Sequence, residues 1–154
     1  MSEIKAQGHK RITDVLFEHW NEVRGERMFP SKDKIDEFDL QQKGVWDDVF
    51  VIEVFPLVQS NGYRFIYTGK NLGNEFNHED SGQVIKNLIM DFLQSSNDKY
   101  NIVAEHKRPF QEEKTYKIDE AGGIIKYRQI LLPLGPGDDE PVDVIIGGMR
   151  FIRA

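Results

Sequence analysis

Cysteine is absent from this chain of 154 residues. Its absence removes disulfides, thiol nucleophiles, iron–sulfur clusters and cysteine-ligated zinc. Long apolar runs are missing too. No stretch is long and uncharged enough to span a bilayer, and the opening Met-Ser-Glu-Ile-Lys has none of the apolar character of a signal peptide. A cytoplasmic protein is the expectation. Basic charge is in deficit: 20 Lys and Arg stand against 26 Asp and Glu, a net −6. That balance speaks against nucleic acid, whose phosphates need a basic face, and against an anionic membrane surface. Repeats, low-complexity segments and a Gly-x-Ser-x-Gly elbow are also lacking. Gly135-x-Gly137 is too short for a phosphate loop and runs into Asp138-Asp139-Glu140, which would repel phosphate. The four histidines, His9, His19, His78 and His106, include no i, i+4 pair of the kind that binds metal on a helix. His78 sits in Asn-His-Glu-Asp, which exposed turn residues explain better than a metal site, so no metal is expected.

What the chain does have is bulk. Ten Phe, five Tyr and two Trp, within 39% hydrophobic and 30% charged residues, suit one globular domain over 1–154 with a sizeable core. Residues 8–25 read as an amphipathic helix. Its stripe is Ile12, Val15, Leu16, His19, Trp20 and Val23 at helical spacing, and Gly25 is a plausible stop. That stripe packs either on its own domain or, through Ile12, Leu16, His19, Trp20 and Val23, on a second copy. Arg24 and Arg27 flank Gly25-Glu26 and are positioned to grip an anion or to lie solvated in a connector. Ser31 or Asp33 is expected to cap a short helix through Leu40, ended by Gly44.

Val49 to Val58 is strongly β-forming and apolar on both alternating sets, so the strand should be covered on both faces, ending or bulging at Pro56. Asn61-Gly62 signals a tight hairpin, and the chain returns along Tyr63 to Thr68, stopping at Gly69. A second amphipathic helix is expected over Val84 to Leu93 and a shorter one to His106, stopped by Pro109. The strands Glu113 to Ile118, Ile124 to Leu134 and Val142 to Ile152 follow as a meander. Asp119 to Gly123 supplies one turn, and Gly147-Gly148 marks a bulge or a close backbone approach. The fold class is α+β: a five-stranded antiparallel sheet, helices on one face, and the N-terminal helix as cover or dimer element. Residues 1–27 form the helical extension and 45–153 the core.

This order resembles a PAS domain, and more narrowly the small single-domain PAS-like proteins of bacteria. The residues that carry the resemblance are Trp20, Arg24-Gly25, Pro30-Ser31 with Asp33 and Ile35-Asp36, then Val49-Phe50-Val51-Ile52-Glu53-Val54, then Tyr63 to Gly69 and Ser81-Gly82. Leu131-Leu132-Pro133-Leu134, Val142-Asp143 and Ile146-Gly147 complete it. Lys32 stands where a second basic residue, often Arg, is usual, and Glu37 stands where Pro is common. The resemblance implies a pocket between the sheet and the helices after Gly69. It implies sensing or protein interaction, often as a dimer through the N-terminal helix, and no fixed catalytic residue.

With no cysteine, a flavin sensor that forms a cysteinyl adduct is excluded, as is a thioester-linked chromophore. Non-covalent flavin, haem with His78 or His106 as axial ligand, or a metabolite stay open. Tyr63, Phe65 and Tyr67 share one strand face. Where that face meets the helix Val84 to Leu93, Tyr67, Phe92 and Tyr127 either line a ligand cavity, with Asn71 and His106 beside it, or fill an aromatic core that holds no ligand. The expected function is a non-enzymatic sensory or interaction module, a homodimer that signals through a protein partner. The alternative is a cone-shaped α+β fold like the ketosteroid isomerase group, for which Glu53 and Tyr67 offer the best acid–phenol pair.

Overall fold

The computed structural model describes residues 11–56, 61–73, 96–117 and 124–153. Its centre is an open five-stranded antiparallel sheet. The strands are β1 (Val49–Pro56), β2 (Asn61–Thr68), β3 (Phe110–Lys117), β4 (Ile124–Leu134) and β5 (Val144–Arg153), in the order β2-β1-β5-β4-β3. The hairpin β1–β2 and the meander β3–β4–β5 join where β5 pairs with β1, from Val49 opposite Gly148 to Glu53 opposite Val144. The last strand therefore lies mid-sheet, which is why Val144, Ile145 and Ile146 are all buried.

Among the described residues, four helices accompany the sheet: α1 (Ile12–Arg24), α2 (Glu37–Gln42), α3 (Lys70–Gly73) and α4 (Asn97–His106). The stripe of α1 buries Ile12, Leu16 and Trp20 against β4 and β5. Each of those side chains contributes about 1.5–3 kcal/mol by leaving water. Trp20 Nε1 donates to the Pro133 carbonyl at 2.9 Å, which fixes the helix along the sheet. Gly25 ends α1 with φ of 60°, a value that favours glycine. On the other face, the α4 ring of Tyr100 meets Tyr63 and Phe65 with centroids 5.2 and 6.4 Å away, and Phe65 meets Phe50 at 6.0 Å. The expected two-sided cover of β1 is thus present: Val49, Phe50, Val51 and Ile52 are all buried.

Gly147 and Gly148 are the close approach, not a bulge. Successive strand residues face opposite sides. A methyl at Gly147 would lie 2.3 Å from the Phe50 ring, on the α4 side, and one at Gly148 would lie 3.0 Å from Leu16, on the α1 side.

Several expectations change. The helix cap is Asp36, whose carboxylate accepts from Asp39 N–H at 3.1 Å. Ser31 and Asp33 instead bond each other, and Lys32–Lys34 makes only a 3₁₀ turn before the chain re-extends at Ile35. Asn61 and Gly62 are not the turn: they pair with Pro56 and Phe55, so the connection lies within 57–60, outside the described residues. The irregularity of β1–β2 falls between Val51 and Ile52, not at Pro56. β3 begins at Phe110, directly after Pro109. The helix expected over Val84 to Leu93, with Phe92, and also His78 and the turn at Asp119 to Gly123, lie outside the described residues.

Candidate functional site

The sheet face beneath α4 has two ends of different character. One end is aromatic. Phe50, Phe65, Tyr63 and Tyr100 form a chain of rings, and the Tyr63 hydroxyl bonds the Asn101 side chain. Burial pushes the Tyr100 hydroxyl well above its ordinary pKa, and a hydrogen bond with Ser96 only partly offsets this. Burial also raises Tyr63, with the charge of Glu105 adding to it.

The other end is polar and centred on Glu112. Its side chain is 8% exposed, which is rare for a carboxylate unless it is paired. Lys99 from α4 bonds it directly, and Lys114 Nζ lies 3.5 Å from its second oxygen. Gln129, opposite it on β4, donates from Nε2 at 2.9 Å, and the Tyr127 hydroxyl lies at 3.5 Å. Lys99 also sits over the Tyr127 ring, 6.0 Å from its centroid. Gln129 is wholly buried and its Oε1 has no hydrogen-bond partner. The amide cannot be turned round to cure this, because Oε1 would then face the carboxylate. A buried acceptor left unpaired costs roughly 1–3 kcal/mol. The arrangement therefore holds one unsatisfied acceptor beside a neutralised carboxylate and an aromatic wall. It suits recognition of a donor group.

The expected ligand residues are scattered. Tyr127 belongs to the polar end, buried against Phe151 at 6.1 Å. Tyr67 does not share the face of Tyr63 and Phe65. The register sets Phe65 opposite Ile52 and Tyr67 opposite Val51, so one extra residue breaks the alternation. Tyr67 instead stacks on Trp46 at 4.6 Å and donates to its carbonyl at 3.2 Å. Three strand spacings alone, about 14 Å, separate it from Tyr127. Asn71 donates to buried Asp48 at 2.9 Å, and Arg150 bonds the other oxygen of that carboxylate at 2.6 Å. His106 is exposed at the end of α4.

Of the expected interface residues, Ile12, Leu16, His19 and Trp20 are buried within the chain's own fold and Val23 is half-buried. Arg24 and Arg27 are engaged locally, Arg24 with the Asn21 side chain and the Arg27 carbonyl at 2.8 Å each, and Arg27 with the Gly135 carbonyl at 2.8 Å. Glu53 pairs with Arg64 across the hairpin, so it is not joined to Tyr67.

Glu112, Gln129 and Lys99 were missed. A signal existed in β4, where Tyr127, Gln129 and Leu131 alternate on one face and a lone amide interrupts two apolar residues. Among the described residues, no group of three His, Asp or Glu is placed to hold a metal ion, and no helix is long and apolar enough to cross a membrane. No family model, curated protein or solved structure matches this chain.

Proposed function

We propose that this chain is a PAS-like sensory module that holds a small molecule between its sheet and α4 and acts through a protein partner. The observation that carries the reading is the unpaired carbonyl oxygen of Gln129, buried beside Glu112. A ligand N–H or O–H placed there would give this oxygen the partner it lacks among the described residues. The antiparallel sheet, helically covered on one face and by α1 on the other, supports it, since that is what the resemblance to PAS domains implies. The Glu53–Tyr67 pair that the cone-fold alternative would use is not assembled, since Glu53 pairs with Arg64 and Tyr67 with the Trp46 carbonyl.

Native mass spectrometry of freshly purified protein tests the reading. A retained non-covalent mass is expected in the wild type and is lost in Gln129→Met, which keeps the side-chain length and removes the acceptor. Bare polypeptide from every preparation, or a retained mass indifferent to Gln129→Met, would overturn it.

A further inference from the structure

We propose that His19 is a proton-operated cap on α2. In an ordinary capping box, the third residue of a helix reaches back with its side chain to accept the N–H of the cap residue. Here the cap residue is Asp36 and the third residue is Asp39. Asp36 performs its half, accepting from Asp39 N–H. Asp39 does not reach back. The imidazole of His19, 4% exposed, stands between the two. Its Nε2 accepts from Asp36 N–H at 3.0 Å, and its Nδ1 lies 3.0 Å from Asp39 Oδ2.

These two contacts settle the tautomer. A backbone N–H only donates, so Nε2 carries no proton. A carboxylate only accepts, so Nδ1 carries it. A second proton on the ring would turn Nε2 into a donor facing a donor. The Asp36 N–H would lose its acceptor while the Nδ1 link to Asp39 persisted and gained charge. Protonation therefore opens the box at the cap and leaves its other corner tied.

Among the described residues, the charged groups around the ring are few. Asp36 and Asp39 face it from α2 and its cap. Lys43 stands behind Asp39, 2.8 Å from the same oxygen. On α1, Glu18 and Glu22 face Lys43. α2 has only six residues, of which Leu40 is buried and Phe38 is 67% exposed, so a lost cap contact acts on a short helix. The device joins α1 to the connector and is independent of any ligand beneath α4.

NMR on the full chain decides it. At about pH 7.5 the ring nitrogens should report the Nδ1–H tautomer, and the Asp36 amide should be protected from exchange. At about pH 5 that protection, corrected for the intrinsic rate, should fall roughly tenfold, the scale of one hydrogen bond. His19→Gln offers an acceptor and a donor but no titratable proton, so its Asp36 amide should stay equally protected at both values. An Nε2–H tautomer at neutral pH, constant Asp36 protection in the wild type, or the same loss in His19→Gln would each overturn the proposal. The wild-type titration decides even if the variant does not fold.

Discussion

Gly147 and Gly148 are neighbours under different pressures. The Phe50 ring lies on Gly147, so a methyl there must displace a packed aromatic from 2.3 Å. Overpacking of that kind costs typically about 1–3 kcal/mol. At Gly148 the nearest atom is the tip of Leu16 at 3.0 Å, which can yield, and the lost glycine entropy of the unfolded chain returns about 0.4–1 kcal/mol. Gly147→Ala should therefore lower the urea midpoint clearly, with Gly148→Ala near neutral, at unchanged slope. Equal effects would mean that the two faces are not differently packed. Gln129→Met poses the opposite balance. It removes an unpaired acceptor but also one hydrogen bond to the Glu112 carboxylate. These terms are each about 1–3 kcal/mol, so the ligand-free protein should change by less than about 1 kcal/mol in the same titration. A loss of several would show that the amide serves Glu112 alone.

At the scale of elements, α1 is the test of how the fold is closed. Leu16 is fully buried at the helix–sheet contact, and Leu16→Ala should cost about 2–5 kcal/mol. Trp20→Phe keeps most of the ring but leaves the Pro133 carbonyl without its donor, which should cost about 1–3 kcal/mol. Thermal melts that leave both variants at the wild-type midpoint would reduce α1 to a loose extension. The stripe of α1 was legible because a 3.6-residue period repeats over thirteen residues. β1 and β4 were legible because long β-branched and aromatic runs leave little choice. What failed was local and decided by neighbours. Asn61-Gly62 carries a turn signal, yet pairing with Phe55 and Pro56 draws both residues into β2. Ser31 has a capping side chain, yet spends it on Asp33. Tyr67 was misplaced because a one-residue irregularity inverts every later position, and no periodicity reveals it. That slip misdirected the site, and Glu112 and Lys99 stayed hidden because polar residues on separate elements meet only after folding.

At the scale of the whole molecule, the tyrosines set a limit in alkali. Burial is the first cause raising Tyr100, Tyr63 and Tyr67, and for Tyr67 the charges of Asp47 and Glu37 add to it. An unfolded tyrosine ionises near pH 10. Each folded one keeps its proton to higher pH, so above that value the native state binds more protons than the unfolded state. Stability is then fully present below about pH 10 and declines as pH rises beyond it. The urea midpoint should hold level to about pH 9.5 and then fall, with phenolate absorbance lagging until the chain unfolds. Tyr100 lies where α4 meets β2, on the face that also carries Gln129. Tyr100→Phe keeps that ring contact and removes the most strongly held proton. It should flatten the alkaline decline without changing the midpoint at neutral pH by more than about 1 kcal/mol. A decline as steep in Tyr100→Phe would mean that groups other than this buried phenol set the alkaline limit.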